Sequence, residues 1–208
     1  MNKDNNEYYI AGNKTPADWI AFRERIEKER TKDLWREAFE EYFIKRLELR
    51  YLHPIKILQD NGTFAGEGFS IMAILCSLIE FLESTYQGKI YKYKRKGQLL
   101  GANEYSSSKE MFISFLKNRK PFSNTFDEKL AKEFYENIRC GLLHEASTKG
   151  GWRIWATNNN GLLIDKNSKI VYRNNFETAI REYTESYGRE LQDSPERQKA
   201  FIIKFNDL

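Results

Sequence analysis

The chain has 208 residues, of which 40% are hydrophobic, 31% charged and 14% aromatic. That length makes one domain with an elaboration or two small ones, and so many aromatic side chains exclude a disordered polymer. Thirty-four Lys and Arg against 30 Asp and Glu leave a net charge of +4, which permits an anionic partner without requiring one. Two cysteines, Cys76 and Cys140, and two histidines are too few for a disulfide framework or a structural metal site. A reduced, cytoplasmic protein without metal or cofactor is expected.

Residues 1–15 are polar, with no apolar leader between Met1 and Tyr9, and are expected to be poorly ordered. Thr15, Pro16 and Asp18 then mark a helix start. From 16 to 52 the composition favours helix, and Trp35, Phe39, Tyr42, Phe43, Leu47 and Leu49 give it a broad apolar stripe at spacings of three and four. This predicts one long helix or two in line, ended by His53-Pro54, since the residue before proline avoids the helical region. After the loop NGTFAGEG, residues 67–87 predict a helix that is apolar on nearly all sides and therefore central to the core. Its most apolar stretch, 69–82, is shorter than the ~20 residues that span a bilayer and contains Glu80, so no membrane span is expected. Its polar stripe, Ser70, Ser77, Glu80 and Ser84, is either a solvated edge or a carboxylate set against a cation on another helix.

Residues 89–96 read KIYKYKRK: Lys89, Lys92, Lys94, Arg95 and Lys96, no acid, and Tyr91 and Tyr93 interleaved. This is either a solvated loop or a patch that tracks RNA phosphates while the tyrosines stack on unpaired bases. Helices are predicted over 107–118 and 125–147, the second started by Thr125 with Glu128 at capping-box spacing and stopped by Gly150-Gly151. WRIWAT, GLLID and KIVYR, separated by NNNG and KNS, predict a small hairpin or three-strand meander within about 152–173. Helix returns over 175–192, and Ser194-Pro195-Glu196 starts a last short one. The fold class is mainly α: a single helical domain over 16–208 with a small β-insertion.

The helix over 125–147 carries the most chemistry. At about 100° per residue, Leu130, Ala131, Phe134, Tyr135, Ile138, Gly141, Leu142 and Ala146 share one core-facing arc. Arg139 and His144 lie on the other side, about 140° apart, flanking Glu136, Cys140 and Leu143. A purely solvated face has no use for Leu143 and Cys140 at its centre, so this face is expected to pack against something further, such as a second copy. A twofold axis through it would gather two Arg139 and two His144 into one cleft.

The string RCGLLH over 139–144, in its context FYENIRCGLLHEASTKGG and with LIEFLESTYQGK upstream, resembles the signature of the HEPN superfamily. That signature is an Arg separated from a His by four to six residues on a late helix of an α-helical domain. The resemblance is best over residues 67–150. It implies a HEPN-like helical bundle and metal-independent cleavage of RNA at a homodimer interface, leaving 2′,3′-cyclic phosphate and 5′-OH ends. Arg139 would clamp the scissile phosphate and His144 would exchange protons with the ribose 2′-OH or the leaving 5′-oxygen. Glu80 is a candidate to orient one of them, with Glu136 a competing partner of Arg139. The resemblance also implies a toxin or phage-defence setting, in which an antitoxin or a nucleotidyltransferase is the partner. Members of the superfamily often carry Asn, Asp or His directly after the Arg, where this chain has Cys140. The alternatives are therefore a catalytically silent HEPN-like module that binds RNA, nucleotide or protein, and a scaffold in which Arg139 and His144 are structural.

Overall fold

The computed structural model describes residues 8–63 and 65–208; the other residues of the polar segment expected over 1–15, residues 1–7, lie outside the described residues. The chain is mainly α-helical, and it divides into two compact units. The first takes the described residues up to His53, together with Thr85–Tyr105 and Gly188–Leu208; the second takes Pro54–Ser84 and Ser106–Tyr187.

Helix α1, Pro16–Glu29, begins where the sequence places it. The Thr15 hydroxyl accepts from the Asp18 amide at 3.2 Å, and the Asp18 carboxylate accepts from the Thr15 amide at 2.7 Å, so two first-turn donors are satisfied reciprocally. Arg30 turns left-handed and Thr31 caps the next helix. That helix, α2, runs unbroken over 32–60. His53-Pro54 does not end it. Two π turns, Phe39–Ile44 and Glu48–Leu52, widen α2, and the His53 amide reaches back five residues to the Glu48 carbonyl. The wider turn seats the proline ring without expelling the chain from the helix.

Helix α3 is Glu67–Gln87. It is longer than its most apolar stretch suggests: at 21 residues, with a mean hydropathy of 1.5 over its most apolar eighteen, it is long and apolar enough to cross a membrane. Those eighteen residues are 56% buried within the protein, with Ile71, Leu75, Leu78, Ile79 and Leu82 fully enclosed. Strands β1, Ile90–Tyr91, and β2, Glu104–Tyr105, pair in parallel. Helix α4 is Ser108–Asn118, capped by Ser107. Helix α5 occupies 128–145, with a π turn at Tyr135–Arg139. Its cap is Asp127, which accepts from the Leu130 amide at 2.7 Å; Thr125 instead closes the short 3-10 turn Phe122–Asn124.

Strands β3, Arg153–Trp155, β4, Ile164–Asp165, and β5, Ile170–Tyr172, form one sheet in the order β3-β5-β4. The expected hairpin is β4 against β5, antiparallel, but β3 lies parallel to β5, so the sheet is not a meander. Helix α6, Arg173–Asp193, follows β5 directly, and α7, Pro195–Phe205, is capped by Ser194.

Each unit has its own aromatic centre. In the first, Trp19 meets Tyr42, Phe201 and Phe205 at centroid distances of 5.1, 5.8 and 5.5 Å, and Ile10 and Ala11 are buried. In the second, Phe176 stacks on Phe134 at 5.5 Å and meets Phe122 at 4.9 Å. Each such ring buries a large apolar area, with a further contribution from ring geometry.

Candidate active site

The two faces of α5 emerge largely as its periodicity predicts. Leu130, Ala131, Phe134, Ile138 and Gly141 are buried. Ala146 leaves that arc because the helix stops at Glu145 and Ala146 turns left-handed, at φ 50°. On the opposite side Arg139 and Cys140 are half-buried, and Leu143 and His144 are exposed, Leu143 by 61%.

The π turn shapes this face. The Cys140 amide donates to the Tyr135 carbonyl, five residues back, which brings the side chains of Tyr135 and Cys140 within hydrogen-bond reach. Tyr135 is the residue that periodicity alone hides. It falls on the core arc, yet its half-buried ring lies under the Arg139 guanidinium, Cζ to centroid 5.3 Å. The same ring stands edge-on to Phe112 at 5.2 Å and has the Lys109 ammonium 6.0 Å from its centre. The only trace in the sequence is an aromatic four residues before an arginine. Burial pushes the Tyr135 phenol up, Arg139 pulls it down, and Cys140 and Glu80 push it up again. It therefore acts as a neutral platform at neutral pH.

Glu80 belongs to this cluster: its carboxylate accepts from the Ser108 hydroxyl at 2.9 Å and lies within electrostatic reach of Tyr135. Glu136 does not pair with Arg139; it takes Lys109 at 2.7 Å. Among the described residues no carboxylate stands within ion-pair distance of Arg139. Cys76 is buried beside the cluster, and burial pushes its thiol up far enough to keep it protonated, with Arg139 acting weakly the other way. Both cysteines are free. Among the described residues no group of three His, Cys, Asp or Glu side chains is placed to hold a metal ion.

His144 sits in the last turn of α5, where the helix dipole favours a cation. The chain behind it is tied down. The Lys149 amide donates to the Asn137 carbonyl at 2.8 Å, and the Trp152 indole donates to Glu133 at 3.1 Å. A Cβ on Gly141 would lie 2.5 Å from the Ser147 carbonyl oxygen, so only glycine admits this return.

The carboxylate–cation pairing that the polar stripe of α3 suggests does occur, but at Glu83. Wholly buried, Glu83 accepts from Arg119 Nε at 2.8 Å and Nη2 at 3.0 Å, and from the Ser114 hydroxyl at 2.7 Å. Ser77, by contrast, is exposed and bonds back to the Ile74 carbonyl.

The cationic segment over 89–96 lies in the first unit. Lys89 is half-buried and its carbonyl accepts from Lys204, and Tyr91 is paired into β1 and rests edge-on against Tyr105 at 5.6 Å. Lys92, Tyr93, Lys94, Arg95 and Lys96 are exposed, Tyr93 by 76%. No protein-family model, curated protein or solved structure matches the chain.

Proposed function

We propose that the protein is a metal-independent endoribonuclease of HEPN type, working as a homodimer in which the α5 helices of two copies share one RNA-cleaving cleft. One observation carries the reading: Arg139, half-buried, held on the Tyr135 ring and without a carboxylate partner among the described residues, lies on the helix whose last exposed turn presents His144. An arginine so placed has its N–H fork available for an oxyanion. An imidazole can both give and accept a proton, which suits His144 to pass one to or from a ribose oxygen.

In this mechanism Arg139 binds the scissile phosphate and stabilises the charge that grows on its equatorial oxygens. One His144 removes the 2′-OH proton, the 2′-oxygen attacks phosphorus, and the P–O5′ bond breaks with the second His144 protonating the leaving oxygen. The products are a 2′,3′-cyclic phosphate and a 5′-OH. Tyr135 and Glu80 act on Arg139 by positioning. Exposed Leu143, beside His144, supplies apolar surface for the second copy. The reading carries with it a cytoplasmic toxin or phage-defence role, restrained by an antitoxin or a nucleotidyltransferase.

Incubation of wild type and His144→Ala with RNA in excess EDTA, followed by analysis of product ends, tests it. Wild type should leave cyclic-phosphate ends. His144→Ala should be slower by about 10² or more, with an unchanged melting temperature because the side chain is exposed. Equal rates in the two proteins, or a monomer by light scattering at micromolar concentration, would sink the proposal. A second reading, an RNA-binding module without catalysis, draws on the exposed cations and Tyr93 of residues 89–96; it predicts salt-sensitive RNA binding that survives His144→Ala.

A further inference from the structure

A groove in the first unit lies apart from every residue that the ribonuclease reading uses. It opens between the last turn of α1, the start of α2 and helix α7, and its volume is about 550 Å³. Its wall is mostly apolar: Ile26, Trp35, Pro195, Ile202 and Ile203. Ile26 and Trp35, only 1% and 5% exposed, form the floor, and the two half-buried isoleucines of α7 form one side. A hollow of about 300–1,000 Å³, largely apolar and with a few polar groups to fix orientation, is the usual form of a small-molecule site. A stable protein interface takes about 800 Å² from each partner, more than these side chains supply.

The polar groups at the mouth select the kind of molecule. Arg30 and Lys199 both border the groove, both are exposed, and neither has an acidic partner among the described residues. Cations nearby do have one: Lys32 pairs with Asp193, Arg36 with Asp33 at 2.8 Å, and Arg25 with Glu37 at 2.8 Å. Glu27, the acid of the wall, is engaged one turn back along α1 by Arg23 at 3.7 Å. The Gln198 amide is taken up by the Leu191 and Gln192 carbonyls. Arg30 is unusual in a second respect. Its backbone is left-handed, φ 53° and ψ 34°, a conformation that glycine adopts at a helix end without strain. Its Nε donates to the Glu27 carbonyl at 3.1 Å, which holds the side chain against the end of α1 and leaves both terminal guanidinium nitrogens for an acceptor. A guanidinium with two nitrogens available matches the two oxygens of a carboxylate.

We infer that this groove binds an amphipathic carboxylate, its hydrocarbon chain lying on Trp35 and the α7 isoleucines and its carboxylate held between Arg30 and Lys199. The apolar walls supply affinity and the two cations supply the choice of an anionic head.

Arg30→Gly combined with Lys199→Gln is the discriminating variant. Glycine takes the left-handed position more readily than arginine, and Lys199 has no partner to lose among the described residues, so the melting temperature should not fall. Isothermal titration with decanoate, at ionic strength held constant with sodium chloride, should give a saturable isotherm for wild type. The variant should bind decanoate about tenfold more weakly. Decanol, the same chain without the charge, should bind the two proteins equally, and more weakly than decanoate binds wild type. No saturable binding of decanoate to wild type, equal decanoate affinity in the two proteins, or decanol bound as tightly as decanoate would overturn the inference. So would a decanoate affinity that falls as protein concentration rises, the sign of a second copy seated in the groove. The variant should cleave RNA at the wild-type rate, since neither residue belongs to the α5 cluster, so this test and that of the ribonuclease fail separately.

Discussion

Glu80 and Glu83 show what a single residue's surroundings decide. They are three apart on α3, on neighbouring positions of one helical face, and the sequence marks that face as the place for a carboxylate within an apolar helix. What separates them is Arg119, thirty-six residues beyond Glu83, a distance over which helical periodicity carries no information. Glu83 is therefore the fully enclosed member, with both oxygens paired, and Glu80 the half-buried one beside Tyr135 and Ser108. Removing one partner of a buried pair leaves the other charge uncompensated, at a cost of about 3–5 kcal/mol. Glu83→Ala should lower the stability of the protein by roughly that amount in urea denaturation, whereas Glu80→Ala should cost far less. Equal destabilisation by the two variants would contradict the assignment of structural and positioning roles.

Among the elements, helix starts are the most legible feature. Thr15 with Asp18, Ser107 and Ser194 all cap as their chemistry dictates. The start of α5 is displaced from Thr125 to Asp127 because two competent caps stand two residues apart and the 3-10 turn before them uses the Thr125 amide. The π turns are not legible, since an i→i+5 bond needs no particular residue type, and one of them carries α2 through Pro54. Strands β1 and β2, two residues each, are too short to show alternation. The core arc of α5 is legible over 130–141, but not the role of Tyr135, which depends on the extra residue in its turn. The tightest element-level constraint is the return behind His144. Gly141→Ala forces its methyl against the Ser147 carbonyl oxygen, and overpacking of this kind costs about 1–3 kcal/mol. A lowered urea midpoint with unchanged slope is the expected result; an unchanged midpoint would mean that the return gives way without cost.

For the whole molecule, a net charge of +4 understates how cation is distributed. Five of the 34 basic residues fall within 89–96, where no acid offsets them, and four of these five are exposed. If RNA is the partner, this segment should dominate the salt dependence of binding rather than the chemistry. Each cation withdrawn from a phosphate of single-stranded RNA lowers the slope of log affinity against log salt by about 0.7. Replacing Lys92, Lys94 and Arg95 by Gln should therefore reduce that slope by about 2, as measured by fluorescence anisotropy across a series of salt concentrations. The same triple variant should leave the melting temperature unchanged. A slope identical to wild type would assign the affinity to other cations.

The Tyr135 ring beneath Arg139 also bears on the entropy of binding. A free arginine side chain holds about 2 kcal/mol of rotamer entropy, and a phosphate that captures it must freeze those torsions. Stacked at 5.3 Å on a ring that is itself wedged against Phe112, Arg139 has surrendered part of that freedom during folding. An anion arriving at Arg139 thus meets a donor already restrained, whereas one arriving at Lys92 or Lys94 must immobilise a long, solvated chain.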